Sequence, residues 1–251
     1  MAEEQFPQVF WEIHSGLPWE GPGDTESTTG AFSMLPALPE KLNILDIGCG
    51  PGMQTLDLLT LSNASIVAVD FHQPFLYQLR ERARQECVIN RVNMVKANMS
   101  SLCFKEASFD LIWAEGSAYI MGFENAFHVW KPLLKGTGYL AVTELSWIKP
   151  NPPQEVLRFF TEEYPEMQDV DGNLQIIQRA GYQTIEHFIL PKSSWWDNYY
   201  KPIIDKLPAL TEKYRHDPEA LAMVELHEKE IDIYRRYSDY YGYVFYITQV
   251  G

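Results

Sequence analysis

At 251 residues, 46% of them hydrophobic, the chain is long enough for one large α/β domain or a domain with an elaborated cap, with a full core. A formal net charge of -14 weighs against a nucleic-acid backbone as the main partner, because phosphate contacts need clustered Lys and Arg. Cys49, Cys87 and Cys103 form no CxxC pair, the N-terminus lacks the basic and apolar regions of a signal peptide, and no apolar run approaches the roughly 20 residues of a membrane span, so a reducing cytoplasm is the expected compartment.

Residues 1–40 are rich in aromatics, Gly and Pro, with Phe10-Trp11-Glu12-Ile13-His14 running into the turn-forming stretch from Ser15 to Gly23. A short helix before that turn and another over about 25–35, capped by Asp24 or Ser27, are predicted. Such an arm packs on a sheet or closes over a ligand. Packing is the commoner outcome, but Trp11 and His14 remain pocket candidates because few helix-spaced apolar positions mark them as core.

From residue 43 to 145 strand and helix alternate. Strands are predicted at 44–47, 65–70, 92–96, 109–113 and 138–145, with helices at 54–61, 73–88 and 123–134, the last closed by Gly136 at a C′ position. This alternation implies a parallel, doubly wound sheet. Beyond Pro150-Asn151-Pro152-Pro153 come helices at 154–164 and 174–180 and a sixth strand at 184–190. An aromatic helical insertion over 193–241, ended by Gly242, precedes a last strand at 243–247.

The first strand runs into Asp46-Ile47-Gly48-Cys49-Gly50-Pro51-Gly52, a glycine-rich turn that opens a helix. Such a turn presents backbone N–H groups and a helix N-terminus to a ligand. Asp70, at the end of the second strand, stands eighteen residues past the last glycine, where a carboxylate can accept both ribose hydroxyls of an adenosine. Both features also suit a dinucleotide enzyme. Met53, however, stands where the last glycine of GxGxxG would be, and no GxxxxGK[ST] loop is present. After the third strand, Asn98 and the Met99 amide are placed to read an adenine edge, although Asn98 alone reads equally well as a turn residue.

Residues 43–147 resemble a class I S-adenosylmethionine-dependent methyltransferase, through the glycine turn and through Ser108-Phe109-Asp110-Leu111-Ile112 and Leu133-Leu134-Lys135-Gly136-Thr137-Gly138-Tyr139-Leu140. The resemblance is to the small-molecule group related to ubiquinone and menaquinone C-methyltransferases. Residues 10–23 resemble a signature of a bacterial subgroup of these enzymes. The resemblance implies a single domain over 1–251, comprising an arm (1–40), a cofactor-binding core (43–147) and a helical cap insertion (193–241) before the last strand. The implied fold is α/β, a doubly wound seven-stranded sheet, mostly parallel, with its last strand antiparallel. The implied cofactor is S-adenosylmethionine, released as S-adenosylhomocysteine. By resemblance Gly48, Gly50 and Gly52 approach its methionine part, and Asp46 acts through water on its amino group. Asp70 holds the ribose, Phe71 or His72 lies near the adenine, Asn98 (usually Asp in the family) and Met99 read the adenine, and Glu115 lies at the methionyl end.

Methyl transfer gains most from in-line positioning and needs a base only when the acceptor must lose a proton. His14, Glu115 and Glu144 are the catalytic candidates, each with a plainer reading: a turn hydrogen bond, a cofactor contact and a solvated strand end. Tyr119 is a pocket-wall candidate. Trp195, Trp196, Tyr199 and Tyr200 form either the core of a small cap or a lid over an apolar acceptor, and ring faces of this kind also suit a cation. Arg80, Arg82 and Arg84 read as a solvated face. His227-Glu228 lacks a second His four residues on, so no metal site is expected. The expected partner is a small-molecule methyl acceptor, with no nucleic acid and no membrane, and a homodimer is an admissible assembly. The competing readings are a non-catalytic S-adenosylmethionine-binding or regulatory protein and a nicotinamide-dependent oxidoreductase.

Overall fold

Short runs of β-branched and apolar residues, buried on both sides, build the centre of the molecule. The computed structural model describes residues 6–36 and 38–251; residues 1–5 of the arm and residue 37 lie outside them. The strands are β1 (Asn43–Ile47), β2 (Ser65–Asp70), β3 (Val92–Lys96), β4 (Phe109–Ala114), β5 (Leu134–Trp147), β6 (Tyr182–Ile189) and β7 (Tyr241–Val250). The helices are α1 (Gln8–His14), α2 (Thr25–Ser33), α3 (Met53–Leu61), α4 (Gln73–Gln85), α5 (Phe123–Trp130), α6 (Gln154–Glu163), α7 (Val170–Arg179), α8 (Lys192–Trp195), α9 (Lys201–Lys213) and α10 (Pro218–Tyr237).

The seven strands form one sheet of order β3-β2-β1-β4-β5-β7-β6. β1 to β5 pair in parallel, and β7 lies antiparallel between β5 and β6. The strand order reverses at β1, so the crevice at the carboxyl ends of β1 and β4 is where a doubly wound sheet receives a ligand. Alternate residues feed the two faces. Ile44, Ile66, Leu111 and Phe245 pack with α3 and α4, while Leu45, Val69, Ile112 and Val244 pack with α5 and α7.

Several expected boundaries move, two of them at glycines read as helix ends. Helix α5 stops at Trp130 instead of reaching residue 134, because Pro132 has no amide to continue the ladder. A short turn Lys131–Leu133 follows, and Gly136 lies inside β5, which begins at Leu134, so Gly136 is not a helix cap. Likewise α10 ends at Tyr237, and Gly242 sits within β7 opposite Ser146.

A third core joins segments far apart in sequence. Val9, Ile13 and Leu17 of the arm pack with Phe159, Phe160, Trp195, Tyr200, Ile203, Val224 and Ile231. Polar bonds fasten the same contact. Asp24 caps α2 through the Ser27 amide at 2.6 Å and also accepts the Ser194 hydroxyl. Asn198 donates to the Gly23 carbonyl at 2.9 Å, and the Lys206 ammonium donates to the carbonyls of Ile13, at 2.7 Å, and Ser15. The arm and the 192–237 insertion are therefore one packed unit, seated on Leu145, Trp147 and Tyr241 at the carboxyl end of β5. Among the described residues no helix is long and apolar enough to cross a membrane.

Candidate active site

The glycine turn wraps the end of β2, with the Gly48 and Cys49 amides donating to the Val69 carbonyl at 2.8 and 3.0 Å. Gly48 has φ +71, and a Cβ there would lie 2.4 Å from the Ser117 Cβ; Gly52 has φ +89, and a Cβ there would lie 2.3 Å from Leu79 Cδ1. The turn is thus closed on both flanks, and only glycine fits either place.

Asp70 faces this turn. Its Oδ2 accepts from the Gly50 amide at 2.9 Å and its Oδ1 from the His72 amide at 2.8 Å, leaving each oxygen a further lone pair. Burial pushes its carboxyl up to about 6 against the lowering effect of those amides. Asp46 lies below the turn. Its Oδ2 accepts from the Thr55 hydroxyl at 2.5 Å, its buried Oδ1 has no partner, and burial raises its pKa to about 7. These features fit an adenosine and an amino group: two ribose hydroxyls can reach Asp70, and the orphaned Asp46 oxygen calls for a donor.

At the end of β4, Glu115 Oε1 accepts from the Trp113 indole at 2.7 Å and from the Thr28 hydroxyl of α2 at 2.8 Å, and burial raises its pKa to about 8. Next to it, the Tyr243 hydroxyl stands 3.7 Å from where a Cβ on Gly116 would be. Asn98 is exposed, and its Oδ1 accepts the Ser100 amide at 2.9 Å, so the turn role is realised with one lone pair to spare. Met99 is buried, its carbonyl held by the Trp130 indole at 3.1 Å. The Trp11 indole stacks flat on the His72 ring at 3.7 Å and meets Phe71 edge-on at 6.0 Å. The arm therefore covers the residues that follow Asp70.

His14 is buried with both ring nitrogens engaged, Nδ1 by Glu20 at 3.1 Å and Nε2 by His227 at 3.3 Å. The protons follow from the far end. The Met223 carbonyl can only accept, so His227 Nδ1 donates to it, at 2.8 Å, and a neutral His227 must then accept at Nε2. His14 donates to that nitrogen and accepts at Nδ1, which leaves Glu20 as the carboxylic-acid donor. Burial drives the same assignment, raising Glu20 well above the usual carboxylate range and lowering His14 to about 3. A histidine so held positions the arm and is a poor proton acceptor.

Glu144 is 2% exposed, so it is not a solvated strand end. Its Oε1 accepts the Tyr164 hydroxyl at 2.7 Å, its Oε2 is buried without a partner, and burial raises its pKa to about 8. Tyr119 is 44% exposed and its ring lies 6.0 Å from that of Tyr164. Trp195, Tyr199 and Tyr200 are buried in the core that the arm and the insertion share: Trp195 stacks on Tyr234 at 4.2 Å, Tyr199 lies 6.0 Å from His14, and the Tyr200 hydroxyl donates to Glu230 at 2.8 Å. Trp196 is half-buried under the Arg235 guanidinium, 5.6 Å from its ring centre.

Sequence reasoning missed Glu20, Thr28, Tyr164, His227 and Tyr243, and it misplaced Arg82. That guanidinium is half-buried and donates to the Pro51 carbonyl of the glycine turn at 2.9 Å and to Leu17 and Pro18 of the arm at 3.5 Å. It ties the turn to the arm, whereas Arg84 pairs with Glu81 on an exposed face as expected. The position of Glu20 between Trp19 and a Gly-Pro-Gly turn was the one local signal for any of these residues.

Residues 44–138 match a family model described as a methyltransferase domain. Over those residues the chain carries a methyltransferase domain, and the comparisons support a class I S-adenosylmethionine-dependent methyltransferase. Within that class the chain is similar to O-methyltransferase cnsE of Penicillium expansum, 25% identical over 69% of this chain and 66% of that one. It is also similar to the ubiquinone/menaquinone biosynthesis C-methyltransferase UbiE of Shewanella sediminis, 27% identical over 47% of this chain and 51% of that one. The chain thus aligns with about half to two thirds of the length of these curated relatives. In fold it matches the SAM-dependent methyltransferase of Geobacter sulfurreducens, solved with S-adenosyl-L-homocysteine, with a TM-score of 0.83, 20% identity and coverage of 98% of this chain and 99% of that one.

Proposed function

We propose that this enzyme holds S-adenosylmethionine in the crevice above β1 and β4 and methylates a small-molecule acceptor beneath the lid, releasing S-adenosylhomocysteine. The observation that carries the reading is the Asp70 carboxylate, tied to the Gly50 amide and retaining free lone pairs at the mouth of the glycine turn. When bound, the cofactor supplies a methyl group on a good leaving group, so positioning and exclusion of water are the main demands on the protein.

Asp70 receives the ribose hydroxyls. Trp11, Phe71 and His72 flank the adenine, and Asn98 Oδ1 and the Met99 amide meet its edge. The Asp46 carboxylate acts on the amino end through water, and Glu115 shapes the methionyl end from a position fixed by Trp113 and Thr28. The acceptor lies between Gly116, Tyr119, Glu144 and Tyr243. Where the acceptor carries a proton that must leave, Glu144 is the better base, having an unpartnered oxygen and a pKa near neutrality, whereas Glu115 and His14 are engaged. Three free thiols support a cytoplasmic site, and light scattering tests for a homodimer.

Calorimetry with S-adenosylmethionine, S-adenosylhomocysteine and NAD tests the cofactor half. The first two are expected to bind and NAD is not; binding of NAD alone overturns the reading. Release of S-adenosylhomocysteine across a panel of small metabolites tests turnover.

A further inference from the structure

Glu144 ends in a buried side-chain oxygen, Oε2, with no hydrogen-bond partner, and the Glu166 carboxyl is among the charges that act on it. Its other oxygen takes the Tyr164 hydroxyl at 2.7 Å, and the Tyr164 ring meets Tyr119 at 6.0 Å. Burial holds the Tyr243 hydroxyl well above its usual range, and the charges of Tyr119, Glu144, Glu230 and Tyr164 add to the effect. Tyr199 is raised in the same way by burial and then by Glu230, Tyr119 and Tyr243. The Glu144 carboxyl and the Tyr164 and Tyr119 rings form one connected group, of which Tyr119 is the most exposed member, and the Tyr243 hydroxyl lies beside Gly116, next to the expected methyl position.

No described Lys or Arg is paired with Glu144. The cations of the lid are committed elsewhere, Lys206 to the Ile13 and Ser15 carbonyls and Arg82 to Pro51. A buried carboxylate without a counter-charge is costly, and phenol rings offer negative faces to a cation. An anionic acceptor would meet the ionised form of Glu144, and the Glu166 charge that acts on it, as like charges. With its carboxyl raised to about 8, Glu144 rests mostly protonated at neutral pH; an ammonium ion favours its charged form, whereas a neutral hydroxyl gives no such pull.

Resting on the methyltransferase reading, we propose that the acceptor is a small amine that enters as its ammonium ion, with the Glu144 oxygen as its hydrogen-bond acceptor and the Tyr164 and Tyr119 rings beside it. The ammonium then gives one proton to the Glu144 carboxylate, which frees the nitrogen lone pair and leaves a neutral carboxylic acid. The charge of -14 on the chain favours the approach of such a ligand.

The test uses benzylamine, benzyl alcohol and benzoate, three probes of similar size, titrated calorimetrically into the full chain saturated with S-adenosylhomocysteine. Benzylamine is expected to bind at least about tenfold more tightly than the other two. Glu144→Gln should remove about that factor for benzylamine while S-adenosylhomocysteine affinity holds. Tyr164→Phe, which frees the second oxygen, should keep or tighten amine binding, and it serves where the glutamine variant fails to fold. Equal affinity for the three probes, or binding of none, overturns the proposal. Failure of S-adenosylhomocysteine itself to bind overturns the methyltransferase reading instead.

Discussion

The Asp70 carboxylate accepts the Gly50 amide at 2.9 Å, locking the glycine turn to the end of the neighbouring strand. One group thus shapes the turn and faces the ligand. Because a protonated carboxyl is a poorer acceptor and its pKa is about 6, cofactor affinity should fall as pH drops through about 6 and level off above it. Asp70→Asn should weaken S-adenosylhomocysteine binding by about 10- to 100-fold, the equivalent of ~1.5–3 kcal/mol for hydrogen bonds to a charged group. It should also flatten the pH curve. Parallel curves for the two proteins would show that another group controls the affinity.

Gly52 tests the backbone argument. At φ +89, with Leu79 2.3 Å from any added Cβ, Gly52→Ala combines strain with a clash. A loss of about 1–3 kcal/mol from strain alone is expected, and at ~2–4 °C per kcal/mol the melting temperature falls by several degrees. Gly30→Ala is the control: it lies inside α2 with nothing within 4 Å of an added Cβ and should be neutral or stabilising by about 0.5–1 kcal/mol. Thermal scans of both variants decide.

Asp24 should behave as a two-way clasp. Asp24→Ala loses the α2 cap, about 0.5–2 kcal/mol, together with the Ser194 bond. Hydrogen exchange should quicken in both 25–33 and 192–200. Ser194→Ala should loosen only the second segment. Protection unchanged over 192–200 in both variants would mean that apolar packing alone holds the lid.

Glu115 supplies a pH signature in stability. Its folded pKa of about 8 exceeds the ordinary 4.5, so the folded chain keeps a proton that the unfolded chain releases between those values. Its contribution is fully present at low pH and is lost as pH rises toward 8. Glu115→Gln, which keeps an oxygen for Trp113 and Thr28, should therefore be more stable than the parent at pH 9, with the gap closing toward pH 5. Urea unfolding at several pH values checks this, and a gap independent of pH would show that Glu115 is ionised throughout.

The β1 run, the glycine turn and Asp70 were legible in the sequence because local chemistry sets them: a buried strand needs consecutive apolar residues, a tight turn needs glycine, and a strand end needs no distant partner. The same local logic failed at Gly136, where Pro132 had already ended the helix, and at Arg82, whose helical neighbours Arg80 and Arg84 do face solvent. The class of cofactor site and the order of strands and helices were thus determined by the sequence alone. Tertiary structure decided which polar atoms meet: Thr28 with Glu115, His14 with His227, Tyr164 with Glu144, and Asp24 with Ser194. These contacts join the arm, the strand ends and the insertion. Hydrophobic burial of Val9, Ile13 and Leu17 against the insertion brings them together, and no local pattern in any one segment encodes the partner it will find there.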